Sequence, residues 1–179
     1  MHLQPIIRFL RFTGWRVMEA LALLWDRVDW EGQVIRLTAT TTKAKSARLF
    51  PFALAPDLKA LIDSQWQARN GPFVFQQGGR AISYDSLVKK WRAACKRGGC
   101  AGRLMHHLRR TAARDMRRAG LSEGEVMMLC GWKTRAMFDR YNIIDEADLA
   151  SAVAKLNGKV TAKSGPSHPT PDLISSSAA

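Results

Sequence analysis

Two pairs of polar residues have the spacing of neighbours on one helix face. Arg16 and Glu19 are three positions apart, and so are His106 and Arg109. His106 begins its predicted helix, where free N–H groups and the helix dipole favour an anion. An arginine beside a glutamate forms either a buried ion pair or an anion site with its orienting partner. The two pairs therefore indicate a site for a negatively charged ligand.

A lysine and a tyrosine add to this chemistry. Lys43 lies at the tip of a predicted hairpin, from which a long cation can reach a ligand, and Tyr141 is one of two tyrosines in the chain. Transfer of a phosphodiester needs guanidinium groups for the non-bridging oxygens, a nucleophile, and an acid for the departing oxygen. These residue types supply all three. Tyr141 as a packing residue is the alternative interpretation.

Metal and nucleotide chemistry have no support in the sequence. It contains no carboxylate cluster for two metal ions and no glycine-rich loop ending in Gly-Lys-Ser or Gly-Lys-Thr. We therefore expect no metal and no cofactor. A metal site can be drawn from Cys95, Cys100, His106 and His107, but their spacing matches no zinc pattern. The three cysteines are an odd number, typical of a reducing cytosol, and we expect a cytoplasmic protein.

The charge of the chain indicates its partner. There are 28 Lys and Arg residues against 15 Asp and Glu, a net charge of +13, with a pI near 10.4. The stretch from Lys89 to Arg118 is the richest in basic residues and contains one acid, Asp115. A polyanion is the expected partner, with nucleic acid ahead of a membrane surface. A solvated basic face is the alternative. No run approaches the ~18 apolar residues of a membrane helix.

Hydrophobic periodicity predicts a mainly α-helical α+β domain with a small antiparallel β-sheet. Thr13 would cap a first helix running to about Trp25, with apolar residues spaced by four, three and four. "QVIRLTAT" and "ARLFPF" read as two strands of a hairpin around "TKAKS", and "FVF" as a short strand. Further helices are predicted, in chain order, from Pro56, Ser83, His106, Ser122 (in a capping box with Glu125) and Thr134, and at about 145–156.

Four segments resemble, in order, the sequence boxes of the tyrosine recombinases, the phage integrase family. "TGWRVMEALALLWDRVD" looks like the first arginine box, and "TTKAKSARLFPF" resembles the β-hairpin lysine segment. "HHLRRTAARDMRRAG" is similar to the His-x-x-Arg helix. "LCGWKTRAMFDRYNI" resembles the Gly-His or Gly-Trp segment that precedes the tyrosine by nine residues. The resemblance implies a catalytic domain over residues 1–157. The segment from Gly158 on is rich in small and polar residues and broken by prolines, which predicts a disordered tail at 158–179.

The resemblance also implies roles for the residues that would bind the phosphate. Arg16 and Arg109 would clamp the scissile phosphate, and His106 would share in acid–base work and phosphate contact. Trp132 would position the phosphate through its indole N–H. Glu19 matches a supporting acidic position that orients the site.

The reacting groups follow from the same resemblance. Tyr141 would attack the phosphate to give a 3′-phosphotyrosyl link, and Lys43 would be the general acid for the 5′-oxygen, with Lys45 as the alternative. The implied activity is DNA strand cleavage and rejoining in site-specific recombination or integration. Double-stranded DNA would be the substrate, and a homo-tetramer on DNA the assembly. The segment "EADLASAVAKL", residues 146–156, would dock onto a neighbouring subunit or pack on its own domain.

Two departures from the family pattern bear on activity. His107 stands where the family usually has Asp. The chain also begins about a dozen residues before the first box, whereas family members carry an N-terminal core-binding domain of roughly one hundred residues. We therefore expect that domain to be absent. A catalytically incompetent, truncated integrase that only binds DNA is the alternative function. A type IB topoisomerase-like nicking enzyme is a third, but the segment around Tyr141 resembles integrases more closely.

Overall fold

The structure is a computed structural model that describes residues 3–38, 47–141, 146, 148–150 and 152–155. Lys43 and Lys45 lie outside the described residues, and so does the predicted tail at 158–179.

The chain divides into two units, Met1–Ile143 and Ile144–Ala179. In the second unit, residues 146, 148–150 and 152–155 are helical, in agreement with the helix predicted at 145–156. No described helix has both the length and the apolar character needed to cross a membrane. The site is built within the first unit.

The first unit consists mostly of helices with two small antiparallel sheets. In chain order its elements are α1 (Gln4–Thr13), α2 (Val17–Leu21), β1 (Val28–Asp29), β2 (Val34–Leu37), β3 (Arg48–Pro51), α3 (Pro56–Gln67), β4 (Gln76–Gln77), β5 (Arg80–Ala81), α4 (Tyr84–Arg97), α5 (His106–Arg118), α6 (Glu123–Cys130) and α7 (Arg135–Asp139). The predicted fold class, mainly helical α+β with a small antiparallel sheet, is confirmed.

The first predicted helix is wrong in its position. Thr13 ends α1 instead of starting a helix, and its hydroxyl donates to the carbonyl of Phe9 at 2.9 Å. Pro5 is the second residue of α1, in the first turn, where a proline costs no hydrogen bond, and the apolar face of α1 places Phe9 in the core. The predicted span from Thr13 to Trp25 holds only the five-residue helix α2, which is followed by a 3₁₀ turn.

The predicted hairpin is confirmed, and a third strand joins it. β2 lies between β1 and β3, and all three strands are antiparallel. Arg48 pairs with Leu37 in this register. Side chains alternate along a strand, so Arg48 and Phe50 are buried while Leu49 points outward. The start of β3 therefore delivers an arginine into the interior.

The later helices begin and end where their capping residues predict. Ser83 and Thr134 each accept a backbone N–H three residues on, at 3.2 and 3.4 Å. Ser122 and Glu125 form the predicted capping box at the start of α6. The predicted strand "FVF" is reduced to an isolated bridge between Phe73 and Leu24. The hairpin of β4 and β5 was not predicted.

One continuous apolar core joins the helices to the three-stranded sheet. Its largest fully buried side chains are Ile6, Phe9, Leu10, Trp15, Leu23, Ile35, Phe52, Leu58, Ile62, Phe75, Leu87 and Phe138. Four buried residues are polar or charged: Thr13, Glu19, Arg48 and Arg109, counted among the described residues. Buried charges require partners, and those partners define the candidate site.

Candidate active site

A cavity of about 720 Å³ gathers five of the seven predicted site residues. Its wall includes Arg16, Glu19, His106, Arg109 and Tyr141. A second cavity, of about 830 Å³, is lined mainly by apolar side chains of α1, α3 and α5 and contains none of the predicted site residues. The first cavity is therefore the candidate active site.

Glu19 and Arg16 meet at the start of α2. The Arg16 backbone N–H donates to Glu19 Oε2 at 2.9 Å, and Arg16 Nη1 donates to Glu19 Oε1 at 3.1 Å. Glu19 thereby satisfies a free N–H of the helix end while it orients a guanidinium. The Arg16 side chain keeps 27% of its surface exposed, which leaves the guanidinium open to the cavity.

Arg48, from β3, is the second partner of Glu19. Its Nη2 donates to Glu19 Oε1, and its Nη1 donates to the carbonyl of Cys130 at 3.1 Å. Burial pushes the pKa of Glu19 upward, but the hydrogen bonds from Arg48 and Arg16 and the charges of both outweigh it. The pKa of Glu19 is therefore lowered, and the buried side chain is a carboxylate.

Arg109 lies on α5, with its guanidinium in the interior. Its Nη1 donates to the carbonyl of Gly14, and its Nη2 to that of Cys130 at 2.9 Å. Burial first, and then the charges of Arg16 and Arg48, lower the pKa of Arg109 to about 10. The guanidinium remains charged at neutral pH. Two of its five N–H groups are committed to carbonyls, so donors remain for a ligand.

The end of α1 reaches Arg109 because residue 14 is a glycine. Gly14 has φ +65° and ends the helix in the left-handed conformation. A Cβ at this position would overlap the Cys130 sulfur. Glycine therefore lets the end of α1 approach the end of α6, and both termini present a carbonyl to the same guanidinium.

Tyr141 and His106 form the other side of the cavity. The Tyr141 hydroxyl lies 2.7 Å from His106 Nε2, and the side chain of Tyr141 is almost fully buried. Burial first, and then the positive charges of Arg109 and other neighbours, lower the pKa of His106. The neutral imidazole is thus favoured, and with Nε2 unprotonated it accepts the tyrosine proton. The pair has the geometry of a nucleophile and a base.

Trp132 is placed behind Tyr141. The two rings stack with centroids 4.9 Å apart and planes inclined by 24°. The indole N–H of Trp132 is buried and has no hydrogen-bond partner among the described residues. Gly131, at φ +67°, ends α6, and the backbone N–H of Trp132 then donates to the carbonyl of Met127 at 2.8 Å. This helix end fixes the ring against Tyr141.

His107, which departs from the family pattern, has a local contact. Its Nδ1 lies 3.4 Å from the backbone N of Leu104, in the loop before α5. The side chain therefore contacts the loop that also lines the cavity through Leu104.

Sequence reasoning missed Arg48 and the two carbonyls that hold the arginines. The signal for Arg48 was present, because strand alternation places it on the same face as Phe50 and Phe52. The carbonyls of Gly14 and Cys130 leave no trace in residue type. Among the described residues, no group of three or more His, Cys, Asp or Glu side chains is placed to hold a metal ion.

The cavity brings together two arginines, a histidine and a tyrosine in a mainly helical α+β domain. These are the side chains that a reaction at a phosphate ester requires. The model of the phage integrase family matches residues 1–147. The chain therefore belongs to the phage integrase family, that is, to the tyrosine recombinases.

Solved structures of recombinases have a similar fold. XerA recombinase is 17% identical with a TM-score of 0.69, and the match covers 86% of this chain and 62% of XerA. A lambda integrase dimer bound to a COC′ core site is 19% identical with a TM-score of 0.69, and the match covers 80% of this chain and 54% of the lambda integrase chain. The Tn1549 transposon integrase, in complex with transposon right end DNA, is 17% identical with a TM-score of 0.65. That match covers 86% of this chain and 58% of the Tn1549 integrase chain. Curated protein sequences gave no match.

The matched region is only part of each solved chain. This chain covers between 54% and 62% of the three chains named above. At these identities the likeness concerns the fold, and the family rests on the match over residues 1–147.

Proposed function

We propose that the chain cleaves and rejoins DNA strands through a 3′-phosphotyrosyl intermediate, in site-specific recombination or DNA integration. The observation that carries the proposal is the 2.7 Å contact between the Tyr141 hydroxyl and His106 Nε2, on the wall of a cavity that also exposes Arg16 and Arg109. Family membership supports the same chemistry.

In the forward step, the Tyr141 oxygen attacks the phosphorus and the bond from phosphorus to the 5′-oxygen breaks. His106 takes the tyrosine proton, because its lowered pKa favours the neutral imidazole. The departing 5′-oxygen needs a proton in its turn, and Lys43 is proposed as the donor, with Lys45 as the alternative. Rejoining runs the same transfers backwards with a 5′-hydroxyl as nucleophile. The phosphotyrosyl bond retains the energy of the phosphodiester.

Arg16 and Arg109 are proposed to bind the non-bridging oxygens of the scissile phosphate. Both line the cavity, and both are held by other groups before any ligand arrives. Preorganised donors stabilise developing charge without a reorganisation cost during the reaction. Glu19 orients Arg16. Trp132 is absent from the cavity wall, and its buried indole N–H, which has no partner among the described residues, is proposed to position the phosphate from behind Tyr141.

Double-stranded DNA is the proposed substrate, and a homo-tetramer on DNA the proposed assembly. The net charge of +13 favours a polyanion. Lambda integrase is described as a dimer bound to a core site, and the Tn1549 integrase as a complex with transposon end DNA. Residues 1–157 are proposed as the catalytic domain, in a protein of the cytoplasm.

The test is covalent capture of DNA on a nicked duplex that traps the cleaved state. Purified protein is mixed, without metal, with duplexes carrying candidate attachment sites and is run on a denaturing gel. We expect a protein–DNA adduct that disappears completely in Tyr141→Phe. Binding of intact duplex is expected to stay within about twofold, because the substitution removes one hydroxyl and no charge.

The chain provides a matched control. Tyr84 is the only other tyrosine and lines the same cavity, but it is about half exposed. Tyr84→Phe is expected to retain the adduct. An adduct that survives in Tyr141→Phe, or vanishes equally in Tyr84→Phe, contradicts the assignment of the nucleophile. Salt-sensitive binding without any adduct on a panel of sites supports the alternative, a DNA-binding module without catalysis.

A further inference from the structure

Arg48 is the central member of a hydrogen-bond network that runs through the candidate site. Arg16 donates to Glu19, which also accepts from Arg48. Arg48 donates to the carbonyl of Cys130, which also accepts from Arg109. Arg109 in turn donates to the carbonyl of Gly14, two residues before Arg16 in the chain. The two arginines proposed to bind phosphate are therefore connected through Arg48.

We infer that Arg48 is a positioning residue for strand cleavage, because it holds Glu19 and the carbonyl of Cys130 and thereby sets the distance between the guanidiniums of Arg16 and Arg109. This inference rests on the proposed function and extends it to a residue that touches neither the phosphate nor the nucleophile. Arg48 is absent from the wall of the cavity, and its side chain is only 2% exposed.

The surroundings of Arg48 restrict the position of its guanidinium. Its Nε is buried without a hydrogen-bond partner among the described residues, which is an unfavourable arrangement for packing alone. The guanidinium also lies 5.7 Å from the Trp15 ring centroid. A Cβ at Gly131 would overlap Arg48, so the end of α6 is shaped around this side chain.

One carboxylate serves two guanidiniums in this arrangement. Glu19 faces Arg16 on α2, Arg48 on β3 and, further away, Arg109 on α5. The Cys130 thiol on α6 also lies beside these arginines, and burial raises its pKa to about 11. His106 on α5 is a further titratable group near Arg109, whose charge helps to lower the pKa of His106. Without Arg48, burial would raise the pKa of Glu19, because the first of the effects that lower it is removed. A protonated Glu19 would no longer hold Arg16 as an ion pair.

The experiment measures single-turnover adduct formation from pH 6.5 to 9 in wild type, Arg48→Met, Glu19→Gln and the double variant. Expressed as a ratio to wild type, the Arg48→Met rate is expected to fall at least tenfold, because Glu19 and the carbonyl of Cys130 lose the donor that holds them. The loss is expected to be larger toward the acid end of the range, because the pKa of Glu19 rises when the hydrogen bond from Arg48 is removed. The ratio cancels the titration of His106. In Glu19→Gln the loss is expected to be independent of pH, and the double variant is expected to match Glu19→Gln.

A matched control distinguishes position from charge. Arg36 lies on the neighbouring strand β2 and is paired with Asp29 at 3.0 Å, but its side chain is 55% exposed. Arg36→Met is expected to leave the pH profile unchanged. Arg48→Lys keeps the charge and is expected to lie between wild type and Arg48→Met. If Arg48→Met fails to fold, the double variant and Arg48→Lys are measured in its place, since neither takes a buried cation away from the Glu19 carboxylate.

A second measurement needs no DNA and separates this inference from the proposed function. The Glu19 carboxyl is titrated by carbon NMR in wild type and Arg48→Lys, and in Arg48→Met where it folds. A raised pKa in the variants supports the inference even when wild type forms no adduct, an outcome that would count against the proposed function alone. An unchanged Glu19 pKa in the variants, or an Arg48→Met rate within about twofold of wild type across the pH range, overturns the inference.

Discussion

The two sides of the candidate site are held by different kinds of contact. On one side, Arg48 and Arg109 are buried, and each guanidinium donates two hydrogen bonds to protein acceptors. On the other side, Tyr141 is held by one hydrogen bond to His106 and by stacking on Trp132. The first side joins α1, α2, β3, α5 and α6 through charged donors. The second involves only α5 and the segment that follows α6.

This difference separates binding geometry from reactivity. A guanidinium that is tied to carbonyls from distant segments is part of the fold, so changing it disturbs both stability and the site. Tyr141→Phe and His106→Gln have a lower structural cost, because each removes the hydrogen bond between the two side chains and keeps most of the side-chain volume. We therefore expect substitutions on the two sides to have separable effects on folding and on rate.

Arg109→Ala is expected to have the largest effect, because it lowers both the rate of strand cleavage and the free energy of unfolding. It removes a proposed phosphate ligand, which costs about 2.7–4 kcal/mol of transition-state stabilisation, a 10²–10³-fold loss of cleavage rate. It also leaves the carbonyl of Gly14 without this donor, so the free energy of unfolding is expected to fall. Single-turnover cleavage and urea denaturation measure the two effects.

Arg110→Ala is the matched control for Arg109. Arg110 is the next residue of α5 and is exposed. We expect its substitution to leave cleavage rate and unfolding within about twofold and about 0.5 kcal/mol of wild type. Equal losses in the two variants would mean that charge on α5, and not the placement of Arg109, supports cleavage.

His106→Gln is expected to lower the cleavage rate by about 10²-fold, the lower end of the contribution of a general base. Stability and DNA binding are expected to change little, because the side chain is exposed and loses one contact. The sign of the pH effect follows from the lowered pKa of His106: the wild-type rate falls only when pH drops below that pKa and the imidazole becomes protonated. A wild-type acid limb that persists unchanged in His106→Gln would contradict the assignment of the base.

The smallest expected effect is measured on stability and compares two glycines. Gly131 and Gly99 have nearly the same backbone angle, φ +67° and +68°. A Cβ meets nothing within 4 Å at Gly99, but it overlaps Arg48 at Gly131. Alanine at Gly99 is expected to cost about 1–2 kcal/mol of unfolding free energy, from backbone strain alone.

Alanine at Gly131 is expected to cost more than this, because Arg48 must also move away from Cys130 and Glu19. The difference between the two variants, measured by urea denaturation, isolates the contribution of that contact. Equal costs would show that Arg48 can move without loss and would weaken the comparison between the two sides of the site.

Much of the fold could be predicted from local sequence signals. Ser83, Ser122 with Glu125, and Thr134 mark the beginnings of their helices, because a capping side chain acts within one turn. The first helix was misplaced because Thr13, a residue typical of helix beginnings, here ends α1 and bonds back to Phe9. The role of Thr13 depended on the apolar face of α1, which begins at Ile6 and precedes the predicted helix in the chain.

By itself the sequence determined which chemical groups are available. These are the pairs Arg16–Glu19 and His106–Arg109, each three residues apart, and a tyrosine nine residues after Trp132. It also determined that the chain is basic and mainly helical. Only the tertiary structure decided that Arg48 joins Arg16 and Arg109 through Glu19 and Cys130, and that backbone carbonyls of Gly14 and Cys130 accept hydrogen bonds from the buried arginines. The physical reason is that these hydrogen bonds join residues far apart in the chain, and a backbone carbonyl has no residue type through which periodicity or spacing could reveal it.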